Sequence, residues 1–255
     1  MIHVFLPAYN EEAAIEKLTD KFRQTFQEIG EPYRIVILDD GSSDKTVQVA
    51  QTLSSKYPLE LLRHQRNQGL GQTMIDGLDH VAKVSADNDV VVTMDCDDTH
   101  DPRYVPEALH RLKEGYDVVI LSRYQKGGGE EGLSFLRSFL SRGAAFFLKL
   151  FFPIKGVQEY SSGFRVFKAS ALKRAFEVFG KDFIRLPHLG FVVTPEVLIK
   201  FRMIGCRITE VPFILSYDRK KGKSKNRPLK TIAGYFALVW FYWGRRPIIN
   251  SSSSF

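Results

Sequence analysis

Cysteine is scarce in this chain. Cys96 and Cys206 are the only two in 255 residues, and neither sits in a C-x-x-C pair or beside a histidine cluster. A thiolate zinc site is therefore disfavoured, and two lone thiols suit a reducing compartment. The histidines show no metal-ligating spacing. No G-x-G-x-x-G follows the first apolar run and no Walker A sequence occurs, which excludes an ordinary dinucleotide-binding turn and a P-loop. The G-x-S-x-G of a nucleophile elbow is missing too. The opening run IHVFLPAYNEE turns acidic at once, with neither a basic start nor a long apolar stretch. It is expected to be a strand, not a secretory leader. No apolar run reaches the roughly 20 residues of a membrane-spanning helix.

What is present has an ordinary globular balance, with enough length for a large core. The net charge of +7 suits an anionic partner, whether a phosphorylated substrate, an acidic membrane surface or nucleic acid. The basic residues are scattered among helices and one loop, and no nucleic-acid-binding motif appears, so nucleic acid is not an expected partner.

The first 120 residues alternate between two periods. Short β-rich runs stand at 2–7, 33–40, 59–64, 89–95 and 116–122. Between them lie helical patterns, such as Ile15, Leu18, Phe22, Phe26 and Ile29 in the first, and LGQTMIDGLDHVAKV in the third. This alternation predicts βαβ units and a mostly parallel, buried sheet, with ligands beyond the carboxyl ends of its strands. The polar segments after the five runs (PAYNEE, DDGSSDKT, RHQRNQGLGQ, DCDDTHDP and SRYQKGGGEEG) should then share one rim. Further on, 134–152 reads as a Phe-rich helix carrying Arg137, Arg142 and Lys149, 163–169 as a strand, 169–179 as a helix and 207–215 as a strand. A basic loop spans 217–228, and SSSS at 251–254 reads as a disordered tail. The stretch IAGYFALVWFYWG (232–244) is either a buried helix or an interfacial one, with aromatics and Arg245 and Arg246 at lipid headgroups.

Asp95 and Asp97 stand at i, i+2 just past a buried strand, followed by Asp98 and Asp101. Gathering carboxylates this closely is costly without a cation. Hard oxygen donors in a small site suit Mg²⁺ or Mn²⁺, which keep positions open for phosphate oxygens. Asp98 or Asp101 can also cap a helix starting near Pro102, but capping accounts for one acid of the group. In DDGSSDKT, turn chemistry accounts for Gly41 and Ser42, and less readily for the adjacent Asp39 and Asp40, which could accept from a ribose hydroxyl or a base.

In order along nearly the whole chain, LPAYNE, LDDGSSDKT, RNQGLG, MDCDDTHDP, LSRY, R-x-x-x-S, SSGFRVF, EVPF and R-x-x-G-x-SK resemble family 2 glycosyltransferases of the GT-A fold, and within them the dolichyl- or polyprenyl-phosphate sugar transferases. The resemblance implies an α/β fold with one Rossmann-like sheet flanked by helices and with C-terminal amphipathic helices. It places Pro7, Tyr9, Glu11, Asp40, Asn67 and Gly69 at the nucleotide-sugar, and Asp95 and Asp97 on the metal and diphosphate. Thr99 stands where the family commonly has a glutamine ligand, and Cys96 where it has alanine. Arg123, Arg137 and Ser141 match positions that grip the acceptor phosphate, and Arg219, Lys223 and Lys225 a loop that folds over the diphosphate. Residues 1–228 would form the catalytic domain, and 229–255 a hydrophobic helix and tail at the membrane interface.

The expected reaction is transfer of a hexose, with inversion, from GDP-mannose or UDP-glucose to a polyprenyl phosphate, assisted by Mg²⁺ or Mn²⁺. The enzyme is expected to be peripheral on the cytoplasmic face of a membrane, with a membrane-protein partner as a further expectation. Two alternatives remain open at this level. One is transfer to a glycan or soluble hydroxyl with Asp98 as base, and the other is a non-catalytic, membrane-associated subunit that binds sugar nucleotides.

Overall fold

The computed structural model describes residues 1–219 and 228–245. The β-rich runs form β1 (Ile2–Ala8), β2 (Tyr33–Asp39), β3 (Leu59–Arg63), β4 (Val90–Thr93) and β5 (Val118–Ser122). Between them lie α1 (Ile15–Ile29), α2 (Thr46–Ser54), α3 (Leu70–Val84) and α4 (Val105–Lys113). The second half contributes β6 (Gly129–Glu131), α5 (Phe135–Phe151), β7 (Arg165–Lys168), α6 (Ala169–Phe179) and α7 (Val193–Met203). It closes with β8 (Ile208–Pro212), β9 (Ile214–Ser216) and α8 (Pro228–Tyr242).

Seven strands make one sheet in the order β3-β2-β1-β4-β7-β5-β8. Every pairing is parallel except those of β7, which runs antiparallel to both β4 and β5. Because β7 reverses direction twice over, β5 points the same way as β4. The five expected rims therefore do share one edge. Two details differ from the sequence reading. The strand expected over 207–215 breaks around Pro212 and Phe213, so that β9 leaves the main sheet and pairs in parallel with β6. The helix α7 carries no amphipathic signal because it is buried almost all round.

Side chains alternate across the sheet. Val4 and Leu6 of β1 pack with Ile15, Leu18, Phe22 and Phe26 of α1 on one face, while Phe5 joins Leu78 and Val81 of α3 and the second-half helices on the other. Each fully buried side chain of this size contributes about 1.5–3 kcal/mol, so both faces are firmly covered.

The helix α8 combines both readings of its sequence. Tyr235, Leu238 and Tyr242 are buried in the core, whereas Ile232, Phe236, Trp240 and Trp243 are exposed. Its outer face is continuous with that of α5: Phe147 meets Phe236 at 5.3 Å and Phe151 meets Trp243 at 5.7 Å between ring centroids. Phe135, Leu136, Phe139, Leu140, Phe146 and Leu150 extend this exposed apolar shelf along α5. Among the described residues no helix is long and apolar enough to cross a membrane. The expected tail at 251–254 lies outside the described residues.

Candidate active site at the strand ends

The edge begins where β1 ends. Pro7 borders a small cavity of about 20 Å³ that Met74, Asp95, Gly163, Arg165 and Thr194 also line. That is room for a water molecule, not for a hexose. Tyr9, half-buried, and Glu11 follow in a loop laced to the DDGSSDKT turn. The Glu11 N–H donates to Thr46 Oγ1 at 2.8 Å, and the Ser43 N–H donates to Asn10 Oδ1 at 2.9 Å.

Asp40, 3% exposed, holds the next loop. Its Oδ1 accepts from the Gln68 N–H and lies 2.8 Å from His64 Nδ1, while its Oδ2 accepts from the Gly69 N–H at 2.8 Å. Both oxygens thus have donors within the protein. Gly41 makes the approach feasible: its φ is +68°, and a Cβ there would lie 2.6 Å from the backbone carbon of Arg66. Gly69 starts α3, and Asn67 is exposed beside it.

Past β4, the acids take different partners. Asp95 is half-buried at the cavity, opposite Gly163, where a Cβ would lie 3.3 Å from Asp95 Oδ1. Asp97 is buried, and its Oδ1 accepts from the Thr99 hydroxyl at 2.6 Å and from the Thr99 N–H at 3.2 Å. Thr99 here orients Asp97. Asp98 has a left-handed backbone, φ +61°, and its buried carboxylate pairs with Lys17, at 2.6 Å, and with Lys21. Asp101 caps the short turn at Pro102, accepting from the Arg103 N–H at 3.2 Å, and it also pairs with Arg219 Nη1 at 3.0 Å. Burial would raise the Asp101 carboxyl, but the Arg103 N–H, Arg219 and Lys21 outweigh it and hold the group below its usual range.

The three expected phosphate-binding residues separate in character. Arg123, at the end of β5, is nearly buried. Its Nε lies 2.7 Å from Glu159 Oε2 and its Nη1 2.9 Å from Glu130 Oε1. Its Nη2 reaches Glu159 Oε1 at 3.0 Å and Ser161 Oγ at 3.1 Å. Burial opposes its charge, yet Glu159 and Glu130 override that and raise its pKa. Burial would raise the fully buried Glu159 carboxyl, but the charge and hydrogen bonds of Arg123 together with the Ser161 hydroxyl and N–H outweigh it and hold the group below the usual carboxylate range. Ser141 Oγ accepts from the Tyr124 hydroxyl at 2.8 Å and from Arg123 Nη2 at 3.4 Å. Arg137 is exposed on α5, and its Nη1 donates to the Tyr217 hydroxyl at 2.9 Å.

Tyr217 connects these parts. It follows β9, whose Ser216 N–H donates to the carbonyl of Thr99 at 3.1 Å. One exposed arginine on the apolar shelf is therefore tied to the Asp95–Asp97 loop. Lys223 and Lys225 lie outside the described residues. Glu130, Glu159, Tyr217 and Arg165 were not singled out from the sequence. Glu159 did carry a signal, since a lone acid beside Tyr-Ser-Ser-Gly-Phe needs a buried cation to be tolerated.

Residues 3–176 match the model of the family described as Glycosyl transferase family 2. The dolichol-phosphate mannosyltransferase of Pyrococcus furiosus is 33% identical over 240 residues, 94% of this chain and 62% of the length of that protein. This chain thus spans less than two thirds of that curated relative. Among solved structures, a mannosyltransferase from Pyrobaculum calidifontis in complex with GDP-Man and Mn²⁺ superposes with a TM-score of 0.60 at 17% identity, covering 96% of this chain and 65% of that one. The glucosyl-3-phosphoglycerate synthase of Mycobacterium tuberculosis, in complex with Mn²⁺, UDP-glucose and phosphoglyceric acid, gives a TM-score of 0.60 at 20% identity over 99% of this chain and 81% of that one.

Proposed function

The chain belongs to glycosyltransferase family 2 and has the GT-A fold, and from that premise we propose that it transfers a hexose from a nucleoside-diphosphate sugar to the phosphate of a polyprenyl lipid. The observation that carries this reading is the link just described. Arg137 stands among the exposed Phe135, Leu136, Phe139 and Leu140, and reaches through Tyr217 and Ser216 to the Thr99 carbonyl, two residues from Asp97. A phosphate at the head of an apolar chain fits an arginine set in an apolar shelf. A soluble sugar hydroxyl has no use for that shelf.

GDP-mannose and UDP-glucose are the leading donors; GDP-Man and UDP-glucose are named in the complexes of the two structural neighbours. Asp95 and Asp97 supply hard oxygen donors that suit Mg²⁺ or Mn²⁺, with Thr99 fixing the orientation of Asp97. The bound cation would neutralise the diphosphate and so make it a better leaving group. Arg219, released from Asp101, would add positive charge at the same oxygens. Arg137 would hold the acceptor phosphate in line, so that one of its oxygens attacks the anomeric carbon as the bond to the diphosphate breaks. Such an acceptor is already an anion and needs no general base. Asp98, the base that a hydroxyl acceptor would call for, has its carboxylate paired with Lys17 and Lys21. The exposed faces of α5 and α8, with Arg142, Lys149 and Arg245 nearby, would rest on the membrane surface from which the lipid is drawn, making this a peripheral enzyme.

The test is transfer of label from GDP-mannose and UDP-glucose, separately, to a short polyprenyl phosphate with Mn²⁺ or Mg²⁺ and with an EDTA control. Label entering the organic phase only with metal is the expected result. Metal-dependent label on a water-soluble sugar, with none on the lipid, would overturn the acceptor assignment.

A further inference from the structure

Two carboxylates hold Arg123, and they differ in how firmly they are built in. Glu159 takes the Nε–Nη2 edge of the guanidinium as a bidentate fork, at 2.7 and 3.0 Å. It is fully buried, and it also accepts from the Ser161 hydroxyl and from the N–H groups of Ser161 and Ser162. Moving Glu159 would strand a buried charge. The Nη1 end of Arg123 meets Glu130 Oε1 at 2.9 Å, and Glu130 Oε2 accepts from the Ser138 hydroxyl of α5 at 2.5 Å. Glu130 sits on β6, which is three residues long and lies outside the seven-strand sheet, paired with β9 in a two-stranded ribbon. Displacing its side chain leaves the main sheet untouched.

An arginine N–H and a serine hydroxyl, from separate elements, thus converge on one oxyanion. That pair of donors suits a phosphate oxygen equally well. The place adjoins the apolar shelf, since Ser138 follows Arg137 on α5. Ser141 stands one turn further along that helix, 3.4 Å from Arg123 Nη2. The oxyanion found there belongs to the chain itself. One cation here already faces two carboxylates, so a further anion cannot simply be added and must replace one of them. Glu159 is locked in the body, which leaves Glu130 as the group that gives way.

We propose that Glu130 is a specificity-determining stand-in for the acceptor's phosphate: it holds Arg123 Nη1 and the Ser138 hydroxyl until an incoming phosphate displaces it. The proposal rests on the reading that the acceptor is a phosphate drawn in along α5. It makes expulsion of a carboxylate part of acceptor recognition. An anionic headgroup can take over both donors, whereas a neutral hydroxyl is too weak an acceptor to do so. The apparent affinity for any acceptor is then lowered by the fraction of molecules in which Glu130 still holds its place.

The experiment measures binding of a short polyprenyl phosphate and of inorganic phosphate by calorimetry, in wild type, Glu130→Gln and Glu131→Gln. Glu130→Gln should bind both probes about tenfold more tightly, the worth of one charge-assisted hydrogen bond. Glu131→Gln removes the same charge from the exposed neighbouring residue and should stay within about twofold of wild type. No gain for either probe in Glu130→Gln would make Glu130 a fixed support of Arg123 and overturn the proposal. An equal gain in both variants would overturn it too, since net charge alone would then account for the effect. A crystal structure of the wild-type protein with the short polyprenyl phosphate reads the displacement without any variant. Glu130 turned away, with a phosphate oxygen against Arg123 Nη1, supports the stand-in, and a bound phosphate beside an intact Arg123–Glu130 pair sinks it. If Glu130→Gln gains affinity for inorganic phosphate alone, and the lipid phosphate neither binds nor accepts sugar, the functional reading fails and the stand-in holds.

Discussion

The strand-end edge and the α5–α8 shelf handle charge and apolar surface in opposite ways. At the edge, apolar strands run into carboxylates, and these are held from within: Asp40 by two amides and His64, Asp98 by Lys17 and Lys21, Asp101 by an amide and Arg219. On the shelf, large apolar side chains face outward, Trp240 and Phe135 each 86% exposed, and Arg137 leans on one phenol. The first region is held in place by these internal contacts. The second leaves a broad apolar surface turned outward. Arg123 lies at the seam, bound to Glu159 of the body and to Glu130 of β6.

That contrast can be broken experimentally, most severely at Asp97. Replacing it with alanine should lower metal-dependent transfer by roughly a hundredfold or more without lowering the melting temperature much. Near-normal turnover would remove Asp97 from the metal site. The next largest effect separates the two arginines. Arg123→Met leaves the buried Glu159 without its cation and should cost about 3–5 kcal/mol in denaturant unfolding. Arg137→Ala should leave that unfolding curve within about 0.5 kcal/mol, while raising KM for lipid phosphate about tenfold and sparing nucleotide affinity. If the two substitutions behaved alike, edge and shelf would be one region, not two.

The smallest effect lies where α8 meets the body. Glu196 is buried, and accepts from the Tyr242 hydroxyl at 2.6 Å and from the N–H groups of Arg185 and Leu186. Lys200 is buried against the rings of Phe179 and Tyr242, and burial lowers its pKa from an ordinary 10.5 to about 8. Between those values the unfolded chain holds a proton that the folded chain has released, so stability rises with pH. Above about pH 10, the ordinary tyrosine range, the slope turns down. There the unfolded chain ionises Tyr242, which burial and Glu196 keep protonated in the fold. Lys200→Met should flatten the rise between about pH 8 and pH 10, a change of roughly 2–4 °C in melting temperature across a pH series. A rise that persists in the variant would assign it to another group.

Much of the fold could be read directly. The third helix was expected over LGQTMIDGLDHVAKV and occupies Leu70–Val84, because its apolar period and the glycine before it mark both face and start. Truncation at 232, a natural test of an interfacial tail, is unsuitable, since Tyr235, Leu238 and Tyr242 belong to the core. The direction of one expected strand and two whole elements left no trace. A four-residue strand such as Arg165–Lys168 looks the same in either direction, so its antiparallel insertion was invisible. The helix α7 is buried almost all round, its Glu196 and Lys200 included, so no polar face marks it, and β6, Gly-Glu-Glu, has no apolar residue at all. At the site, motif order located the acids and arginines but not their partners. Which carboxylate meets which cation depends on separations of about 80 residues, as for Lys17 and Lys21 with Asp98.

The insertion of β7 also sets an order of events during synthesis. Strands β4 and β5 are consecutive in the chain but never touch, because β7 fills the gap between them. Until residues 165–168 emerge, the outer side of Val90–Thr93 is an unpaired apolar edge, and β5 has no place in the sheet. A nascent chain paused before that point would carry the acidic loop on an open strand able to pair with another copy. Completion of the catalytic edge thus waits on a short strand from the second half of the chain, and interruption there should yield aggregates, not a small working enzyme.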